Sequence, residues 1–299
     1  MIRSTGVPTF LSSLALSALC LAGCGKSEIG RVEWPVMGTI AAMQTRAHGA
    51  PCRTSVSTNV AMAVFKELEA LLNAHSEGSE ISKLARLTED EILSGCDSKP
   101  VARFPWLSTR PCYEAAFRLA KASGGAFNPR WKGPNTLDLG AIAKGFAVDA
   151  AASACHVEHA DALIDLGGNL KVPRSEGGSH KPWRTGVRDP LGDGFAALVD
   201  LHEGEALATS ATYYRGSHIY DGRTGLAVSN GVASVTVLCK SAMWADGLST
   251  TLFVLGPDDG RKFLDDRLKS LVGDMEVSAL WIMDGGRKVT YGNARFQGN

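Results

Sequence analysis

The sequence predicts one mixed α+β domain over residues 34–299, built from mixed or antiparallel sheets flanked by helices. Three observations carry that reading. Segments with strand and helix patterning are interleaved irregularly instead of alternating strictly. No fixed-period repeat or low-complexity linker follows residue 33. The 299 residues are 44% hydrophobic, enough to bury a large core.

The elements follow in order. Residues 33–47 are extended and mostly apolar, around Met37-Gly38-Thr39. Val60, Val64, Leu68, Leu71 and Leu72 fall at helical spacing, so 54–72 is an amphipathic helix capped near Thr54 or Ser57. A second helix, 113–122, is stopped by Gly124-Gly125. A third starts near Gly140 to Ala143 and continues through Phe146 and Ala150. The apolar run 162–172 is split by Gly167-Gly168, and 183–188 and 196–201 read as neighbouring strands joined by Asp189-Pro190-Leu191-Gly192. Residues 232–239 are β-branched and alternating, 241–255 form a helix packed through Ala, Gly and Ser, and 278–283 with 288–291 make a final hairpin around Asp284-Gly285-Gly286.

The N-terminus reads as an export signal. Arg3 precedes an apolar stretch, Val7 to Ala22, that Pro8 and several serines make unsuitable for a membrane span. Its end, Leu21-Ala22-Gly23-Cys24, resembles the bacterial lipoprotein box, which gives a signal peptide over 1–23, a lipidated Cys24 and a tether over 24–33. The alternative is an ordinary secretory signal with a chance cysteine. On the first reading the mature protein is a membrane-anchored lipoprotein facing the bacterial periplasm. Lys+Arg and Asp+Glu number 31 each with no basic run, so there is no electrostatic footprint for nucleic acid, and a small or protein substrate is expected. Of seven cysteines, Cys20 leaves with the signal and Cys24 is lipidated. The remaining five, Cys52, Cys96, Cys112, Cys155 and Cys239, suggest up to two disulfides and one buried thiol. Cys52 and Cys96 could pair, and Cys239 belongs to the core. No Cys/His cluster argues for zinc.

Two stretches carry chemistry. In Asn135 to Ala151, Gly140, Ala141 and Ala143 offer almost no side chain at a helix start, so the backbone can approach a ligand. Amides there favour an anion, a turn carbonyl such as that of Ala141 can face a hard cation, and Asp138 and Lys144 would grip a polar ligand from two sides. A capping Asp and an exposed Lys on a packed helix would give the same pattern. Further on, Asp246, Ser249 and Thr250 stand at i, i+3 and i+4, which puts three oxygen-bearing residues on one helix face. One carboxylate with neutral oxygens suits Mg²⁺ that borrows phosphate oxygens from a substrate, although a polar helix face has the same composition.

An ordered set of motifs joins these stretches. Met37-Gly38-Thr39, Gly124-Gly125-Ala126-Phe127-Asn128-Pro129, Leu137-Asp138-Leu139-Gly140 with Lys144-Gly145, Leu166-Gly167-Gly168-Asn169, Gly186-Val187-Arg188-Asp189-Pro190, Ala208-Thr209-Ser210, His218-Ile219-Tyr220-Asp221 and Ala245-Asp246-Gly247-Leu248-Ser249-Thr250 together resemble the ApbE family, the FAD:protein FMN transferases. The resemblance runs from about Trp34 to about Gly256 and implies an ApbE-like, T-fold-related domain. It also implies an exported enzyme that binds FAD and Mg²⁺ and transfers FMN through its phosphate to a threonine hydroxyl of an acceptor protein, releasing AMP. By similarity the Ala141 carbonyl and the Asp246 and Thr250 side chains hold the metal, with Ser249 nearby. Met37, His75, Ala126, Phe127, Asn128, Asp138, Lys144 and Tyr220 occupy FAD-contacting positions. A threonine hydroxyl needs a base; His218 is the candidate because histidine titrates near neutrality, and Asp138 is the fallback.

The chain departs from the family pattern in several places. Only Arg130 to Thr136 connects two motifs that are usually farther apart, which implies a more open flavin site. Gly222 stands where the family has proline, Ala211 where it has glycine, Asn128 where it has Asp, His75 where it has an aromatic residue, and Gly78 where Asp is common. Two alternatives use the same residues: an FAD pyrophosphatase releasing FMN and AMP, and a flavin-binding lipoprotein without catalysis.

Overall fold

In the computed structural model, which describes residues 29–47, 54–95, 104–155, 157–158, 160–212, 219–293 and 295–298, the chain opens with a hairpin. Strands β1 (Ile29–Val36) and β2 (Thr39–Ala47) are joined by Met37 and Gly38, both at positive φ (51° and 67°). A two-residue turn of this hand matches strand twist but disfavours a side chain at its first position. The Met37 N–H donates to a Glu69 carboxylate oxygen at 2.6 Å, holding the turn against helix α1 (Thr54–Leu72). In α1, Ala61, Val64, Phe65 and Leu68 are fully buried at i, i+3, i+4 and i+7.

Two short helices, α2 (Glu80–Leu84) and α3 (Glu89–Gly95), span too few residues for hydrophobic periodicity to mark them. Their caps do: Ser79 accepts from Ser82 N–H, while Thr88 and Glu91 exchange side-chain and backbone bonds as a capping box. Helix α4 (Arg110–Ala122) begins three residues before the apolar pattern because Pro111 is tolerated in a first turn, and it ends where Gly124 and Gly125 take positive φ. Helix α5 (Ala143–Ala154) is built mostly of small residues.

The strands follow: β3 (Val157–Glu158), β4 (Ala160–Leu166), β5 (Asn169–Lys171), β6 (Ser175–Glu176), β7 (Trp183–Arg188), β8 (Phe195–Leu201), β9 (Ala206–Ala211) and β10 (Val232–Cys239). Helix α6 (Ala242–Val272), strands β11 (Ser278–Met283) and β12 (Lys288–Tyr291), and the two-residue β13 (Gln297–Gly298) complete the chain. The expected helix 241–255 therefore continues to Val272, across a kink where Gly256 adopts φ 74° and Pro257 restarts the helix. Asn230 caps the interruption by donating to the carbonyls of Phe253 and Val254.

An eight-stranded antiparallel sheet runs β1-β2-β4-β5-β9-β10-β11-β12, and a three-stranded sheet runs β13-β8-β7. Alternation assigns each face of the large sheet. Val235 and Val237, Ala279 and Trp281, and Ala206 and Ala208 join the helices in the main core. Leu238, Leu280, Ile282 and Leu207 face a second core shared with Trp183, Val187, Val199 and Leu201 of the small sheet. The molecule is a three-layer α+β structure with antiparallel sheets, helices outside one face of the large sheet and the small sheet on the other.

The cysteine expectation is corrected in part. Cys112, Cys155 and Cys239 are all free thiols buried in the main core, three where one was expected. Burial pushes Cys155 and Cys239 up to about 12 and raises Cys112 further. Cys24, Cys52 and Cys96 lie outside the described residues, as does the signal peptide. Among the described residues no helix is long and apolar enough to cross a membrane.

Candidate functional site

The site forms where the head of α5 meets the first half of α6. Gly145 makes this contact possible: a Cβ there would lie 2.1 Å from the Ala242 carbonyl oxygen and 2.7 Å from Asp246 Cβ. Across that close approach the Gly145 N–H donates to Asp246 Oδ2 at 2.9 Å. Asp149, one turn further along α5, receives the Ser241 hydroxyl and the Ala242 and Met243 N–H groups, capping α6 and fixing its start. Two helices are thereby locked with the Asp246 carboxylate between them.

Asp246 is 5% exposed. Burial raises its carboxyl above the ordinary aspartate value, opposed by the nearby Lys144 ammonium and the Gly145 N–H. Lys144 Nζ stands 4.0 Å from Asp246 Oδ2 and donates to the Gly140 carbonyl at 2.9 Å. On the same face of α6, Ser249 donates to the Asp246 carbonyl, and the Ser249 and Thr250 hydroxyls lie 2.8 and 2.9 Å from Ser210 Oγ on β9. Ala141 occupies the turn just before α5. A buried carboxylate beside neutral hydroxyl oxygens is a hard donor set, so these residues fit Mg²⁺.

Asp138 joins this group through the turn, accepting from Gly140 N–H at 2.9 Å. Its charged partner is Lys132, at 2.9 Å. Burial alone would raise Asp138, but Lys132, the Gly140 N–H and the Trp131 side chain together hold it below the usual carboxylate value. The loop bearing Trp131 and Lys132 is pinned by Arg130, whose guanidinium donates to the carbonyls of Ala85, Leu87, Pro134 and Thr136. Trp131 stacks on Tyr220, ring centroids 4.2 Å apart and planes 13° apart.

Other expected residues sit around this centre in different ways. The Ala126 and Phe127 side chains are buried in the core, so only their backbone is open to a ligand role. Asn128 ties two loops together, donating to the Gly222 carbonyl and accepting from Arg130 N–H. Gly222 also explains one departure: its N–H donates to the Ala126 carbonyl, which proline could not do, and a Cβ there would lie 2.3 Å from Asn128 Cβ. Met37 stands apart, beside an open cleft of about 450 Å³ lined by Pro35, Val36, Gly38, Thr39, Ile40 and Glu69. His75 is exposed in the turn after α1. Among the described residues no hydrogen bond or ring contact joins Met37 or His75 to the α5–α6 group. His218 lies outside the described residues.

Sequence reasoning did not single out Trp131, Lys132 or the Gly145 N–H. Lys132 lies in a seven-residue loop without periodicity, and an amide proton leaves no mark on composition. The Asp149 cap was equally silent, because its partners are 92 to 94 residues away.

This architecture is that of the flavin transferases among solved structures. The Vibrio cholerae flavin transferase ApbE superposes with a TM-score of 0.67 at 22% identity, covering 90% of this chain and 98% of that one. The apo Pseudomonas stutzeri flavinyl transferase ApbE gives 0.65 at 22% identity, covering 92% and 97%. At that identity the likeness establishes the fold. Residues 130–272 match the ApbE family. A Rhodobacter capsulatus FAD:protein FMN transferase is 40% identical over 132 residues, 41% of this chain and 25% of the relative, so the match spans a quarter of that protein's length.

Proposed function

We propose that this chain is an FAD:protein FMN transferase that uses Mg²⁺ to move FMN from FAD onto a threonine hydroxyl of an exported electron-transfer protein, releasing AMP. The observation that carries this reading is the Asp246 carboxylate, buried between α5 and α6 near Lys144, with the Ser249 and Thr250 hydroxyls one turn further along α6 bonded to Ser210. Asp246, Thr250 and the Ala141 carbonyl would hold the ion, which when bound supplies Lewis-acid neutralisation of a pyrophosphate. Lys144 and the α5 amides bind phosphate oxygens. Asn128, Asp138, Tyr220, Met37 and the backbone at Ala126 and Phe127 orient the rest of FAD, with His75 at the rim.

In the transfer, the threonine oxygen forms a bond to the phosphorus of the FMN half, the bond from that phosphorus to the bridging oxygen breaks, and AMP leaves. The threonine proton passes to a base. His218 takes that role, because Lys132 lowers the basicity of Asp138 and suits it to gripping substrate while ionised. A lipidated Cys24 would anchor the enzyme at the periplasmic membrane surface, and mass spectrometry of the mature N-terminus tests that anchor. Incubation with FAD, Mg²⁺ and a candidate acceptor tests the activity. A fluorescent acceptor band supports transfer; free FMN with unlabelled acceptor assigns hydrolysis instead, and unchanged FAD with every acceptor leaves a binding protein.

A further inference from the structure

We propose that Ser210 is a positioning residue that turns the Thr250 oxygen toward the cation by fixing where the Thr250 proton points. The inference rests on the metal assignment above and adds a residue on β9 to it. Each hydroxyl has one proton and two lone pairs, so a chain of hydroxyls has a direction that can be counted. Ser249 is 2.9 Å from the Asp246 carbonyl oxygen, which only accepts, so this contact uses the Ser249 proton. The 2.8 Å contact between Ser210 and Ser249 must then use the Ser210 proton. With that proton committed, the 2.9 Å contact between Ser210 and Thr250 takes its proton from Thr250.

The order is therefore Thr250 to Ser210 to Ser249 to the Asp246 carbonyl. Its consequence is chemical: the Thr250 proton points at the sheet, and the remaining lone pairs on its oxygen are available to a cation. If Ser210 instead donated to Thr250, a proton would occupy one of those lone pairs.

The sheet makes Ser210 a fixed reference. Ser210 pairs with Val235 on the all-buried strand β10, and Ala206 and Ala208 on the same face are packed in the main core. Ser249 is fully buried, so it has no water to take its proton elsewhere. The polarity is set by α6 and read out at Thr250.

Two variants break the chain at different links. Ser210→Ala removes the acceptor for the Thr250 proton. Ser249→Ala frees the Ser210 proton to turn toward Thr250, although Ser249 itself is not among the assigned ligands. Mn²⁺ binding followed by electron paramagnetic resonance, without FAD or acceptor, reads the effect directly. Both variants should weaken Mn²⁺ by about 10- to 100-fold, the usual range for a residue that orients a ligand, and Ser210→Thr, which keeps the hydroxyl, should restore most of the affinity. Circular dichroism and melting temperature identify a variant that has merely unfolded, in which case Ser210→Thr and Ser249→Ala decide the matter. Unchanged Mn²⁺ affinity in folded Ser210→Ala or Ser249→Ala overturns the proposal while leaving the metal site standing. A wild-type protein that binds no Mn²⁺ overturns the metal assignment and this inference with it.

Discussion

Two aspartates of almost equal burial occupy regions of opposite character. Asp246, 5% exposed, lies between α5 and α6; Asp161, 4% exposed, lies on β4 where the chain returns before β7. Asp161 is surrounded by donors: the Ser179 hydroxyl and His180 N–H bond its two oxygens, and the Arg46 guanidinium is 3.9 Å away while stacking on Trp183. His180, beside it, is engaged in turn by Glu203 at 2.7 Å. Serine, histidine and carboxylates are thus present in the second region too, yet they satisfy one another. Among the described residues Asp246 has a single hydrogen-bond donor, Gly145 N–H, and an ammonium 4.0 Å away. A buried charge so lightly matched is held at an energetic cost, and a cation would offset that cost. Catalytic-looking residue types are less informative than how completely the fold already pairs them.

The largest expected effect separates the two carboxylates by function. Asp246→Asn keeps the shape but removes the charge that would hold Mg²⁺, and a lost Lewis acid is worth several kcal/mol, so FMN release or transfer should fall by at least about 10³-fold. Because the carboxylate is already penalised by burial, the melting temperature should hold or rise. A folded variant with wild-type turnover at limiting Mg²⁺ would remove Asp246 from the site.

Asp161→Asn should do the reverse. Breaking the buried pair leaves Arg46 without its carboxylate and should destabilise the protein by about 3 kcal/mol, measured by urea unfolding, while Mn²⁺ affinity of the folded fraction stays at the wild-type value. Loss of metal binding with intact stability would show that the two regions are not independent.

The smallest effect sharpens the edge of the site. Lys132 holds Asp138 below its ordinary value, so their pairing stabilises the fold above the unfolded-state value near 4 and is lost as pH falls through the lower folded-state value. Lys132 is 42% exposed, and solvent screening keeps the contribution below about 1 kcal/mol. Lys132→Ala should therefore be slightly less stable than wild type at about pH 7, with the difference vanishing in acid. Melting temperatures taken across that range check it, and a difference that grows in acid would contradict the assigned pairing.

Much of the fold was legible because periodicity and turn residues are local. The helical spacing from Val60 to Leu72, the alternation from Val232 to Cys239, and the glycine pairs 124–125 and 167–168 each mark their element without reference to the rest of the chain. Strand β9 escaped because Ala206 to Ala211 has weak strand propensity, and only its place between β5 and β10 makes it extended. The i, i+3, i+4 spacing put Asp246, Ser249 and Thr250 on one helix face from sequence alone. What that spacing could not supply was their partners. Gly145 is 101 residues from Asp246, and Ser210 is 39 and 40 from Ser249 and Thr250. Lys132 pairs with Asp138 because Arg130 folds the intervening loop back on itself, a contact no local pattern announces. Charge and hydrogen-bond pairing depend on distance in space, so the residue types at the site were written in the sequence, and which of them neutralise one another was decided by packing α5 on α6 and both helices on the sheet.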